Sequence, residues 1–176
     1  MKLIFSLFFM LFFLLFLVTT CRGPDKPLNT SKKASKKELM LGVNKYLVKK
    51  DRQIIENYIE RREWEMSETE TGLFYMFRKE SRGKSVKAGD IVTISYRVGL
   101  LDGKICYDSD SLGVKTFEVG KGGVESGLEE GVLLMRQGAR ARFIMPPHLA
   151  HGLIGDEDCI PPRAIIIYEV DLLEVN

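Results

Sequence analysis

Residues 143–170 read FIMPPHLAHGLIGDEDCIPPRAIIIYEV, and they place four of the chain's six prolines in two pairs, Pro146-Pro147 and Pro161-Pro162. Proline fixes its own backbone angle, removes a donor and pushes the preceding residue into an extended conformation, so each pair should end a strand or restart one. The pairs bracket a loop holding both histidines, His148 and His151, and the acidic run Asp156, Glu157, Asp158. A loop pinned at both ends and flanked by strands is where a binding site is expected. The apolar alternation around it, "ARARFIM" before and "AIIIYEVDLL" after, predicts two strands, the second central to a sheet.

Working outward, "GLFYMF" and "DIVTISYRV" are further strands, the latter with Ile91, Thr93 and Ser95 on one face and Val92, Ile94 and Tyr96 on the other. Gly99 and the Asp102-Gly103 pair supply turns. One interruption, "VESGLEEGVLLM", has the capping-box spacing Ser126 to Glu129, with Leu128, Val132 and Met135 able to share a face, which predicts a short helix. The fold class is therefore α+β: an antiparallel sheet with one short helix against it, over residues 69–176.

Upstream, Ser35 and Glu38 have the same capping-box spacing. Leu47, Val48, Ile54, Ile55, Tyr58 and Ile59 follow among Lys, Arg and Glu, which predicts an amphipathic helical segment over 38–68. Its stripe is expected to pack on the following domain, with self-association as a homodimer the other use for it. Before it, Lys2 and the apolar run 4–18, broken only by Ser6, form a signal peptide over 1–20, since at ~1.5 Å per residue the run falls short of a ~30 Å hydrocarbon core. "LVTTC" resembles a bacterial lipobox, with Thr20 where Gly, Ala or Ser is usual. Acylation of Cys21 would follow, with a membrane lipid anchor and a polar tether over 21–37.

With 176 residues, 45% of them hydrophobic and 28% charged, and a net charge of +2, the chain has the means for one real core and no cationic surface of the kind nucleic acid needs. If Cys21 is acylated, Cys106 and Cys159 are left either to pair or to be buried as thiols, and buried thiols are the expectation. Glycine-rich phosphate loops and CxxC pairs are absent from the sequence. "HLAH" with nearby carboxylates has zinc-ligand residue types, but the flanking Pro-Pro and Gly predict a short turn, and "DED" reads as solvation of the loop; neither a metal nor another cofactor is expected.

What remains is a set of aromatic and branched residues with one carboxylate among them: Tyr96, Tyr107, Asp108, Phe117, Val124, Leu128, Ile160 and Tyr168. From "ETGLFY" onward the chain resembles an FKBP-type peptidyl-prolyl isomerase. "AGDIVTISYRVGLLDGKICYDSD", "FEVGKGGVESGLEEGVLLMRQGARARFIMPPHLAHG" and "IPPRAIIIYEVDLL" carry the family's motifs in order. The resemblance implies an FKBP-like antiparallel sheet wrapped around the short helix, and a pocket that receives a substrate proline beneath the loop between the proline pairs. It implies that Tyr96, Tyr107, Phe117, Val124, Leu128 and Tyr168 line that pocket with Leu128 as floor, and that Ile160 closes one side. Asp108 would orient neighbouring groups, and the backbone N–H of Glu125 would hold the carbonyl preceding the proline.

Three positions depart from the family pattern. His151 replaces a tyrosine whose hydroxyl donates to ligand, which implies weaker catalysis; Glu125 replaces an apolar residue; Leu128 replaces a tryptophan of many eukaryotic members. The N-terminal half, "NKYLVKKDRQIIENYIERREWEMSETETGLFY" after a lipobox, is similar to exported FKBP-type lipoproteins associated with bacterial gliding motility. That implies a periplasmic, envelope-anchored isomerase acting on proline-containing unfolded or exported chains. A non-catalytic proline-binding or chaperone module of the same fold is the alternative.

Overall fold

The computed structural model describes residues 30–176, with side chains from residue 35. The signal peptide, Cys21 and most of the tether lie outside the described residues. The chain divides into two compact units, Met1–Gly42 and Val43–Asn176, and the sheet belongs to the second.

Helix α1 (Thr30–Glu60) starts earlier and stops sooner than the sequence spacing predicts. Ser35 lies inside it rather than at its cap, and residues 30–37 are helical where a tether was expected. The reason is compositional: this stretch, TSKKASKK, holds four lysines and an alanine, which are good helix formers, and no proline lies between Pro27 and the end of the helix to break it. At the other end Glu63 adopts φ 53°, while the N–H of Trp64 bonds the Ile59 carbonyl (3.2 Å) and that of Glu63 the Glu60 carbonyl (3.0 Å). This is a Schellman stop, with the Trp64 ring packed edge-on to Tyr58 at 5.8 Å. In the second unit Asp51, Ile55 and Tyr58 are buried and Leu47 and Ile59 partly so, whereas Val48 and Ile54 are exposed; the packed face is narrower than expected.

Seven strands form one antiparallel sheet among the described residues: β1 (Ser67–Glu68), β2 (Phe74–Lys79), β3 (Ile91–Leu100), β4 (Ile105–Asp108), β5 (Lys115–Glu118), β6 (Arg140–Met145) and β7 (Ile166–Val175). Their order is β1-β2-β6-β7-β3-β4, with β5 also paired to β3. As expected, the strand after the second proline pair is central. β4 pairs with the Arg97–Gly99 end of β3 and β5 with its Ile91–Ile94 end, leaving a gap on one edge. A four-residue helix, α2 (Ser109–Leu112), fills it: the Ser109 hydroxyl accepts from the backbone N–H of Tyr96 at 3.1 Å, so the ladder's missing partner is replaced by a side chain.

Helix α3 (Ser126–Leu133) buries Gly127, Leu128, Gly131 and Val132. A Cβ on Gly131 would stand 2.7 Å from the Phe143 ring, so the close approach of helix to β6 requires glycine there. The expected capping box does not form. Glu125 is the N-cap, and the Glu129 carboxylate reaches instead to the N–H groups of Gly120 and Gly122 (3.2 and 2.9 Å), organising the preceding loop. Leu73, Tyr96, Leu128, Phe143, Tyr168 and their neighbours form the main core on the α3 side of the sheet; Ile55, Tyr58, Phe74, Ile144 and Ile165 form a second cluster beneath α1.

Candidate functional site

The central strands place the aromatic residues. Tyr96 on β3 stands opposite Val170, and Tyr168 on β7 opposite Val98, so the two tyrosines are diagonal neighbours on one face, ring centroids 6.2 Å apart. Tyr96, Phe117, Leu128, Ile160 and Tyr168 are all buried in the main core, with Tyr107 and Val124 packed against it. Eight residues singled out from sequence thus divide cleanly. Seven meet in one apolar cluster, and Asp108 does not.

The Asp108 carboxylate is turned to Arg97, whose Nε donates to it at 2.7 Å, and it caps α2 by accepting from the N–H of Asp110, also at 2.7 Å. The Arg97 bond first, then the Asp110 N–H, holds its pKa below the ordinary carboxylate value. Asp108 therefore positions α2, and through Ser109 the backbone of Tyr96, rather than presenting charge to the cluster.

The loop between the proline pairs is drawn down over the cluster by several ties. Its N-terminal end is a single 3₁₀ turn, Pro147–Leu149, and the N–H of Arg163 closes the other end on the Gly152 carbonyl at 3.0 Å. Cys106 on β4 is bonded to Cys159, 53 residues on, so the thiols expected to be separately buried are a disulfide: the loop between the proline pairs comes back against β4 and brings their Cα atoms to 5.5 Å. The hydroxyl of Tyr107 donates to Asp156, with Asp158 Oδ2 3.4 Å away.

Asp156 also accepts from the N–H groups of Asp158 (3.0 Å) and Ile160 (2.8 Å). Burial alone would raise its pKa, but the bonds from Tyr107 and these two N–H groups outweigh it, and the value falls below the ordinary one. Conversely, the Tyr107 phenol is pushed up to about 12, by its bond to Asp156 first and by desolvation second. The acidic run read as loop solvation thus contains the loop's main polar anchor. An Asp followed two residues later by a bonded N–H is an Asx turn, the one local signal that could have revealed it.

The two histidines diverge. His148 bonds the Thr71 carbonyl through Nε2 at 2.9 Å, away from the cluster. His151 turns inward, its Nε2 3.1 Å from Oε1 of Glu125, and because a carboxylate only accepts, Nε2 carries the hydrogen. The same Oε1 receives the Tyr168 hydroxyl at 3.0 Å. Burial raises the Tyr168 pKa, and the adjacent Glu125 carboxylate adds to the rise. Sequence reading assigned Glu125 a role through its backbone alone; its side chain is part of the site, 11% exposed. His151 has its Nε2–H already committed to that carboxylate.

These walls suit an apolar ring, with polar groups confined to one corner and to the overhanging loop. The model for the family described as FKBP-type peptidyl-prolyl cis-trans isomerase matches residues 83–173. Among known proteins, the chain is 36% identical over 110 residues to the probable FKBP-type peptidyl-prolyl cis-trans isomerase FkpA of Neisseria meningitidis, covering 61% of this chain and 39% of that protein. It is 32% identical over 108 residues to a probable FKBP-type isomerase of Haemophilus influenzae, covering 61% and 44%. It is 40% identical over 91 residues to FK506-binding protein 1A of Emericella nidulans, covering 51% and 84%. The match thus spans less than half the length of the two bacterial relatives. Among solved structures, FkpA from Escherichia coli superposes with a TM-score of 0.61 at 26% identity, over 88% of this chain and 74% of that one. AtFKBP13 gives 0.61 at 25% identity, over 64% and 99%.

Proposed function

The chain belongs to the FKBP-type peptidyl-prolyl cis-trans isomerase family, and on that footing we propose that it accelerates rotation about Xaa-Pro bonds in unfolded or newly exported polypeptides. The observation that carries this reading is the apolar cluster of Tyr96, Tyr107, Phe117, Val124, Leu128, Ile160 and Tyr168 lying under a loop tied down by Asp156 and Cys159. Such rotation has a barrier of ~20 kcal/mol from amide resonance and breaks no covalent bond, so it needs no nucleophile. Unaided it takes tens to hundreds of seconds, slow enough for a catalyst to matter.

A twisted amide carries less charge separation than a planar one. A water-poor site that takes the proline ring onto Leu128, between the Tyr96 and Tyr168 walls, favours the twisted form over the ground state. The N–H of Glu125, at the start of α3, holds the carbonyl before the proline; Ile160 and the loop exclude water. Asp108 acts at one remove, by fixing α2 and hence Tyr96.

In the same reading the protein is exported, acylated at Cys21 and tethered in the periplasm to an envelope membrane, where it assists folding of envelope proteins, those of gliding motility included. Exposed Tyr46, Val48 and Ile54 on α1 favour self-association through that helix. One observation favours a second reading, a proline-binding module with little turnover: the Glu125 carboxylate and His151 occupy the polar corner from which a ligand would otherwise be held.

Exchange of a Leu-Pro peptide, followed by NMR with the full chain beside Tyr107→Ala and Asp108→Ala, separates the two. The expected result is acceleration by the unmodified chain and its loss or strong reduction in both folded variants. Binding of the peptide by folded protein without acceleration would leave the second reading. Acylation is tested by detergent-phase partitioning of the chain against Cys21→Ala, which should move to the aqueous phase.

A further inference from the structure

On α1, Asp51, Ile55 and Tyr58 share one face, and all three are buried. Ile55 and Tyr58 pack in the cluster that holds Ile165, two residues past the closure of the overhanging loop. Asp51, its side chain 10% exposed, accepts at both oxygens from Nη2 of Arg163, at 2.9 and 2.8 Å. Among the described residues this is the one side-chain bond between α1 and residues 146–164.

From Arg163 a continuous path leads into the site. Its own N–H donates to the Gly152 carbonyl at 3.0 Å, and the Gly152 N–H donates to the Pro147 carbonyl at 2.8 Å. Gly152 is thus clamped on both sides, at a φ of 64° that suits glycine. Over residues 151–155 these are the only backbone hydrogen bonds among the described residues. The residue joined to Gly152 is His151, whose Nε2–H reaches Oε1 of Glu125 at 3.1 Å, and the same oxygen accepts the Tyr168 hydroxyl at 3.0 Å. The other ties act elsewhere: the Cys106–Cys159 and Tyr107–Asp156 bonds hold residues 156–159 to β4, and His148 holds the opening turn to the Thr71 carbonyl.

We infer that Asp51 and Arg163 are positioning residues of the site: through Gly152 they set where His151 stands, and helix α1, outside the span 83–173 matched to the family, takes part in holding substrate. The inference rests on the isomerase reading for where the peptide lies, its carbonyl before proline on the Glu125 N–H, next to the carboxylate that His151 and Tyr168 orient. Without Asp51, Arg163 is no longer held at its φ of 59°, and Gly152 loses one side of its clamp. The substrate must then order the loop itself, which weakens binding and leaves the bound-state rate nearly unchanged.

The test reads the two histidines by NMR on the full chain, near pH 8, where an ordinary imidazole is neutral. It is paired with kcat and KM for Ala-Leu-Pro-Phe. In Asp51→Ala and in Arg163→Asn the His151 ring nitrogens should move toward the shifts of an unbonded imidazole, while those of His148 stay. KM should rise about fivefold with kcat held within about twofold. The double variant should be no worse than either single one, because both remove the same contact, and Asp51→Glu, which keeps a carboxylate, should recover most of the loss. A purely structural contribution behaves differently: Val86→Ala, a truncation in the core outside this path, should lower stability and move neither His151 nor KM.

An unchanged His151 signal or an unchanged KM in both folded variants would overturn the inference and leave the isomerase reading intact. No acceleration of the peptide by the unmodified chain would overturn that reading instead. Peptide dissociation constants then replace KM, a fivefold weakening with the His151 shift upholding the inference and unchanged values overturning it. Should Asp51→Ala not fold, Arg163→Asn carries the comparison, because asparagine tolerates a positive φ.

Discussion

One nitrogen of Arg163, Nη2, donates to both carboxylate oxygens of Asp51, at 2.9 and 2.8 Å. Asp51 lies on α1 and Arg163 directly after the second proline pair, so the helix holds the point where the loop over the cluster closes. Arg163 adopts φ 59°, a conformation that costs a non-glycine residue on the order of 1 kcal/mol, and the ion pair helps to hold it there. Asp51→Ala should lower stability by about 2–3 kcal/mol in urea unfolding, the low end for a buried pair because Arg163 is 32% exposed. Arg163→Gly should destabilise too, although it relieves the backbone; a neutral or stabilising effect would show that the pair contributes no more than the backbone strain it holds.

The Cys106–Cys159 bond closes 53 residues of chain. On the loop-entropy relation a closure of this length stabilises by about 4 kcal/mol, and engineered comparisons commonly return less. Cys106→Ser with Cys159→Ser, or reduction of the unmodified protein, should lower the urea midpoint correspondingly. Proteolysis should then cut first within residues 152–160, since that segment loses its tie to β4.

Gly131→Ala sets two effects against each other. Alanine gains up to about 1 kcal/mol of helix propensity, but its Cβ would stand 2.7 Å from the Phe143 ring in a close-packed core. Overpacking of this kind costs about 1–3 kcal/mol, so steric conflict should win. A melting temperature lower than that of the unmodified chain is expected, while a rise would mean that α3 can lift off β6 without loss.

The Tyr107–Asp156 bond should be visible in pH dependence at both ends. The folded-state pKa of Tyr107, about 12, lies above its ordinary 10.0, so its contribution is whole below pH 10 and is lost as pH rises from 10 towards 12. Asp156 lies below its ordinary 3.8, so its contribution is present above that value and is lost as pH falls further. The stability difference between the unmodified chain and Tyr107→Phe should therefore be flat through neutral pH and narrow at both extremes. An ultraviolet titration should lose its step near 12 in the variant. A difference that stays constant across the whole range would rule the bond out as a source of stability.

Much of this molecule is local in its sequence. The two-residue period of 91–96, the proline pairs and the short apolar helix each reflect chain geometry within a few residues, and they suffice for an α+β sheet with a pinned loop. The ordered motifs between residues 72 and 173 carry the family and the seven apolar wall residues. The side chains that decide how the site behaves answer to contacts that no local period encodes.

Asp51 and Arg163 are 112 residues apart, Tyr107 and Asp156 are 49, and Glu125 and Tyr168 are 43. In the sequence Asp51 looks like the solvated side of a helix, Asp156 like loop polarity, and Glu125 like a surface carboxylate whose backbone alone matters. Strand pairing of β3 with β7 and of β4 with β3 fixes where Tyr168 and Tyr107 stand, while the packing of α1, the proline-bracketed loop and the start of α3 brings the other groups to their partners, and burial then leaves each carboxylate in need of a donor. By itself the sequence determined the fold class, the family and the apolar lining, because these follow from periodicity and ordered motifs. Only the tertiary structure decided that Glu125 turns into the site, that Cys106 meets Cys159 and that α1 holds the loop, because those partners are distant in sequence and adjacent only after folding.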